Sequence, residues 1–183
     1  MPCDRSQVLT LARHHNWAAQ PGHKILILDR GAVSFEYPAS WVVTAAEDCV
    51  KVFDREPPGD ECTLAVSYLK IPVMDWSELP VTSLVQAALE GDERQFLEVS
   101  PIQSDRRLSL EIGWCEGHFT GLPEKRPAIA RICVARCPPI QAFVTFDFWA
   151  SDLDRCAPVW NTALSTLQVA ERVMDPTVGP SVT

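Results

Sequence analysis

Four strand-length segments follow one another in the second half of the chain, with short breaks between them. They are FLEVSPIQ (96–103), RLSLEIGWC (107–115), AIARICVARC (128–137) and IQAFVTFDFW (140–149). Neighbouring strands joined by turns too short for a crossover must pair antiparallel. A mainly antiparallel sheet is therefore the element that everything else must fit. Its apolar side needs covering, and the helix-patterned segments of the chain are what cover it.

The first half adds more strands. KILILD and AVSFEY flank Arg30-Gly31 and read as a hairpin. In the second arm Phe35 and Tyr37 share one face and Ser34 and Glu36 the other, the period of a half-buried strand. Pro38 has no amide hydrogen for a ladder, so it marks a strand end or an edge. Trp41 then folds back over the open end of the core, so Pro38 and Trp41 read as a structural corner. WVVTA, CVKVFD and CTLAVSYLKI continue as strands, interrupted by the REPPGDE loop.

Helical spacing appears in three places. Residues 6–19 carry Val8, Leu9, Leu11, Ala12 and Trp17, with Ser6 as N-cap. From Pro80, the residues Val81, Leu84, Val85, Ala88 and Leu89 recur up to Gly91, with proline at the first turn and glycine at the end. Residues 151–173 carry Leu153, Ala157, Trp160, Leu164 and Leu167 on one side, and Ser151 with Asp154 resembles a capping box. The expected organisation is an N-terminal helical extension (1–23), one α+β domain (24–174) and a loose tail (175–183).

These features together resemble the Mog1/PsbP-like fold family, which includes the DcrB-like bacterial proteins. The resemblance rests on Phe35-Glu36-Tyr37-Pro38-Ala39-Ser40-Trp41 at the end of a hairpin and on the lone helix between long strands. It rests also on the closing strand AFVTFDFW followed by a helix with Leu164-Ser165-Thr166-Leu167. It spans roughly residues 24–170. The resemblance implies an α/β/α sandwich, a central antiparallel sheet between helices. It also implies a protein that binds partners, as members bind a small GTPase or an oxygen-evolving photosystem, rather than an enzyme. No functional motif of those members is matched closely enough to carry residues over.

Charge narrows the partners. Sixteen basic residues face 24 acidic ones, for a formal net charge of −8. Nucleic-acid binding draws its affinity from neutralising phosphates, and an anionic membrane surface attracts the same basic side chains, so both are opposed. No apolar run approaches the ~20 residues of a membrane helix, and the start of the chain lacks a secretory pattern, so a cytoplasmic protein is expected. Seven cysteines, an odd number at scattered positions, read as mostly reduced and buried thiols. The partner indicated is another protein, with a basic surface as one form of it.

Candidate sites are few. Cys115-x-x-His118 followed by Cys133-x3-Cys137 supplies zinc-type ligands, with a Cys115–Cys133 disulfide or a Cys115 nucleophile with His118 as base as alternatives. Against zinc, Cys133 and Cys137 stand four apart on a strand, about 13 Å between Cα atoms. Buried thiols are the preferred reading, and no cofactor is indicated. His14-His15, with His23 near, read as a solvated face. Glu111, Arg131 and Asp147 form a polar row that is either a cross-strand ladder or the lining of a cleft. Trp76, in a loop before a helix, is either a binding hot spot for a protein or a staple for that helix. A small ligand- or metal-binding protein or thiol enzyme built on Cys115 and His118 is the competing reading.

Overall fold

The computed structural model describes residues 18–171. The expected helix over 6–19, save its last two positions, lies outside them, as do His14, His15 and the tail from 175. The elements run β1 (His23–Leu28), β2 (Val33–Pro38), β3 (Val42–Ala45), β4 (Val50–Phe53), β5 (Cys62–Lys70) and α1 (Val81–Glu90). They continue with β6 (Phe96–Val99), β7 (Gln103–Arg107), β8 (Leu110–Gly121), β9 (Arg126–Cys137), β10 (Ile140–Trp149), α2 (Leu153–Thr166) and β11 (Gln168–Val169).

An eight-stranded antiparallel sheet has the order β3-β4-β5-β10-β9-β8-β6, with β7 also paired to β8. A smaller sheet has the order β1-β2-β11. The α+β class, with helices against a mainly antiparallel sheet, is thus the observed one.

Alternation along the strands defines two faces of the large sheet. The α2 face carries Ile112 of β8, Cys133 and Ala135 of β9, Val144, Phe146 and Phe148 of β10, and Leu64 and Val66 of β5. These pack with Phe35 and Tyr37 of the small sheet and with Cys156, Val159, Trp160 and Ala163 of α2 in the main core. The α1 face carries Cys115, Ile132 and Val134, which close a second, smaller core with Val85. Gly113 lets α1 touch down there, since a Cβ at that position would stand 3.2 Å from Val81 Cγ2.

Pro38 closes β2, and the Trp41 N–H donates to the Pro38 carbonyl at 3.0 Å. The indole then lies 9% exposed, 6.0 Å from the Phe146 ring. The β1–β2 turn uses left-handed backbone at Asp29 and Arg30, with Gly31 at φ 102°.

Some local expectations change. FLEVSPIQ is not one strand: Ser100-Pro101 separates β6 from β7. Leu108 does not join Leu110, Ile112 and Trp114 on a shared face. It sits at the tip of the β7–β8 hairpin with φ 54° and is 98% exposed. Strand β2 is buried on both sides, because Ser34 and Glu36 lie under the end of α2, where the Glu36 N–H donates to Thr166 Oγ1. Ser151 and Asp154 make no capping box, since no side chain caps α2. That helix ends at Thr166, and the chain turns out to pair β11 with the free edge of β2.

Replacing Trp41 by Ala empties a ring-sized space at this corner. We expect a loss of about 3–5 kcal/mol in urea unfolding, with the spectroscopic signature of the sheet retained.

Candidate functional site

Strand alternation sorts the sequence-derived candidates first. On β8, Cys115 faces α1 while His118 faces the opposite side, since three residues apart on a strand means opposite faces. Cys133 of β9 lies on the α2 side, opposite Cys115. The structure therefore does not bring Cys115, His118, Cys133 and Cys137 to one point. Among the described residues no group of His, Cys, Asp or Glu is arranged to hold a metal ion. Burial pushes the Cys115 thiol up to about 11, away from nucleophile character. Cys133, wholly enclosed, is raised by burial too. All six described cysteines are free thiols, so no Cys115–Cys133 bridge is formed.

The polar row is also split. Glu111 and Asp147 lie on the α1 face and Arg131 on the α2 face, because Arg131 aligns with Glu116 and Phe146 rather than with Glu111. Each of the three has a different partner.

Arg131 donates from Nε to Glu116 Oε2 at 2.7 Å, and His118 Nε2 stands 3.0 Å from Glu116 Oε1. The guanidinium also lies 5.5 Å from the Phe148 ring centroid. Burial works against the charge on Glu116, but hydrogen bonds and charge from Arg131 and His118 outweigh it and hold the carboxyl below its ordinary range. Glu116 and Arg131 border a cleft of about 290 Å³ lined also by Trp114, Trp160, Asn161, Ser100 and Gln103. The sequence reading missed Glu116, which only the β8–β9 register reveals.

Asp147 pairs with Arg94, which also pairs with Asp92 at 2.6 Å and lies over Phe96 and Phe119. Burial raises the Asp147 carboxyl, with Arg94 opposing it.

Glu111 accepts from Arg136 at 2.6 and 3.0 Å. Arg136 is 1% exposed and is the largest fully buried side chain among the described residues. It also donates to the Leu79 carbonyl at 2.8 Å and sits 5.5 Å from the Trp76 ring centroid. Trp76 itself donates its indole N–H to the Pro72 carbonyl at 3.1 Å. Trp76 is thus half-buried against the guanidinium, inside the 71–80 loop. Arg136 was visible only as a charge inside an apolar strand, which signals a buried partner without naming it.

The loop so fixed presents Val73 (78% exposed), Met74 (58%) and Leu79 (40%) to solvent. Beside it on the α1 face lie Leu69 (51%) and Phe143 (37%), diagonal neighbours across β5 and β10. α1 packs on β8 and β9. On β5 and β10 the same face is left half-buried at Ala65, Ser67 and Thr145.

Comparison with solved structures defines the class. CyanoP, the PsbP of the cyanobacterium Synechocystis sp. PCC 6803, superposes with a TM-score of 0.58 at 16% identity, covering 85% of this chain and 97% of that one. LpqN of Mycobacterium tuberculosis, involved in cell envelope biogenesis, gives 0.56 at 10% identity over 80% and 90% of the two chains. The Ran-binding protein Mog1p of Saccharomyces cerevisiae gives 0.53 at 10% identity over 81% and 96%. The fold is Mog1/PsbP-like.

Within that fold, residues 24–173 match the Alr1449 family model, and the chain belongs to the Alr1449 family. The uncharacterised protein alr1449 of Nostoc sp. (strain PCC 7120) is 34% identical over 174 residues, 94% of this chain and 91% of that one.

Two outcomes follow from the ion pairs. Arg136→Met strips the loop of its anchor and leaves Glu111 half-paired. The expected cost is about 2–4 kcal/mol, with faster proteolytic cutting within residues 71–80. The lowered Glu116 carboxyl contributes stability that is complete above its unfolded value near 4.5 and is lost as pH falls through the folded value. Glu116→Gln should therefore be less stable than wild type at pH 7 by about 1–2 kcal/mol. That gap should close in urea titrations as the pH is lowered from the unfolded value through the folded one.

Proposed function

We propose that the chain is a non-enzymatic protein-interaction module. It docks a partner protein on the surface formed by Leu69, Val73, Met74, Leu79 and Phe143. The observation that carries this reading is the exposure of Leu69 and Phe143, diagonal neighbours on the sheet, and of Val73, Met74 and Leu79 in the loop that directly follows β5. Single apolar residues are ordinary on a surface, whereas several exposed along one short segment and the strand end beside it are the form interaction sites take. The loop is rigid because its carbonyls are tied to Arg136, so little ordering entropy is lost on docking.

Asp75 and Glu78 stand exposed in the same loop, and the whole chain is acidic. The partner fitting this surface has an apolar patch rimmed by Lys or Arg. Mog1p, described as Ran-binding, supports partner binding as a use of the fold. The six described cysteines, all free and four of them buried, are in keeping with a reducing compartment such as the cytoplasm. Among the described residues no helix is long and apolar enough to cross a membrane.

The test is co-purification from the native host with wild type, Leu69→Asp, and Val73→Asp/Met74→Asp. These substitutions are at exposed positions, so melting temperatures should stay within a few degrees of wild type. We expect one protein to accompany the wild type at fixed stoichiometry and to fall at least ten-fold with either variant. Added salt should weaken the complex further. Retention of the protein by both variants, or its loss only with Glu116→Gln, would move the site elsewhere and defeat the proposal.

A further inference from the structure

The cleft beside Glu116 lies on the α2 face, apart from the docking surface on the α1 face. Its walls come from several elements. Trp114 and Glu116 stand on β8, Arg131 on β9, Gln103 on β7 and Asn161 on α2, with Ser100 between β6 and β7. The backbone fixes most of them. Gln103 is the partner of Trp114 across the β7–β8 ladder. Ser100 is tied twice to Glu116: its N–H donates to the Glu116 carbonyl at 2.8 Å, and its Oγ accepts the Glu116 N–H at 2.9 Å. A site set on paired strands and a helix stands formed before a ligand arrives, so binding costs little ordering.

The hydrogen-bonding capacity of these walls is only partly used. Arg131 spends its Nε–H on Glu116. Its Nη1 and Nη2 groups take no hydrogen-bond partner among the described residues, although the side chain is only 13% exposed. No enclosed side-chain nitrogen or oxygen of the described residues is left without a partner, so these donors open onto the cleft that Arg131 lines. The Glu116 oxygens each engage one group, Arg131 and His118, and each keeps a further acceptor site. The carboxamides of Gln103 and Asn161, each both donor and acceptor, stand exposed at the rim.

Charge narrows what fits. An anion would set a second negative group beside Glu116, and a cation would face Arg131. A wholly apolar ligand would cut the Arg131 donors and the Glu116 carboxylate off from water with nothing in exchange. A neutral ligand rich in hydroxyls meets none of these costs, because each hydroxyl both donates and accepts. The half-buried Trp114 indole adds an apolar wall for the C–H face of a ring. The volume of about 290 Å³ is at the low end for ligand cavities and suits a small ring.

We propose that this cleft binds a neutral sugar. The pyranose ring lies against Trp114. One hydroxyl accepts from an Arg131 Nη group and donates to Glu116, and the Gln103 and Asn161 carboxamides take the neighbouring hydroxyls. The Glu116–Arg131 pair stays closed throughout and serves as one donor–acceptor unit.

The experiment is saturation-transfer NMR on the full-length chain, with glucose, galactose, N-acetylglucosamine, maltose and cellobiose as probes. We expect at least one of them to bind saturably, at millimolar concentration or below. Gln103→Ala and Asn161→Ala, both at exposed positions, should each weaken that binding about five-fold or more. Their melting temperatures should stay within a few degrees of wild type. Leu69→Asp, on the other face, should leave sugar binding unchanged, so this proposal and the docking reading stand or fall separately. No saturable binding of any of the five sugars, binding that survives both alanine variants, or tighter binding of glutarate or tetramethylammonium than of every sugar would each overturn the proposal.

Discussion

Strand β9 is covered on both faces, and most of the molecule is arranged around that fact. Its odd-numbered side chains from Ile129 to Ala135 point toward α2 and its even-numbered ones from Ala130 to Arg136 toward α1. A strand buried on both sides has no place for an unpaired charge. Yet between Ile129 and Arg136 β9 carries two arginines, one on each face, and each is met by a glutamate directly opposite on β8: Glu116 for Arg131 and Glu111 for Arg136. The β8–β9 register is therefore specified by charge as well as by apolar fit. A slip of one residue would bury both guanidinium groups against the wrong neighbours and turn each glutamate to the wrong face.

The same alternation decides what was legible in the sequence. The antiparallel meander, the α1 helix between Pro80 and Gly91 and the hairpin around Arg30-Gly31 all announce themselves through local signals of turn chemistry and periodicity. The pairing of Cys115 with His118 does not survive, although their spacing suits metal ligation on a helix or loop. On a strand that spacing separates them across the sheet. The row of Glu111, Arg131 and Asp147 fails for a related reason. Which residues share a face depends on register between strands, and one chain segment does not encode where its partner begins. Leu108 shows the limit in miniature, since an apolar residue in an alternating pattern turned out to occupy a left-handed hairpin tip.

Arg136 links this buried charge to the outer surface. Its guanidinium satisfies carbonyls of a loop that has no regular structure of its own. Such loops ordinarily move, and their apolar residues gain little by being exposed. Here a buried cation holds Trp76 and Leu79 in place while Val73 and Met74 remain in solvent. On the proposed function, the exposure of Val73 and Met74 on a braced loop is what suits them to dock a partner.

The Glu116 cleft offers a useful contrast. It has concavity and two flanking tryptophans. Its one strong cation, however, is already engaged by a carboxylate at 2.7 Å and shielded by the Phe148 ring. An anionic ligand entering there must displace Glu116 from Arg131 and bury that carboxylate without its partner, a loss that cancels much of the gain. The exposed apolar group at the other face asks for no such exchange, since docking there removes water from surfaces that hold it weakly. Electrostatic competition thus suits the charge pair of the cleft to the architecture, where it fixes β8 against β9, which is why the proposed function places partner recognition at the loop and open sheet beside α1.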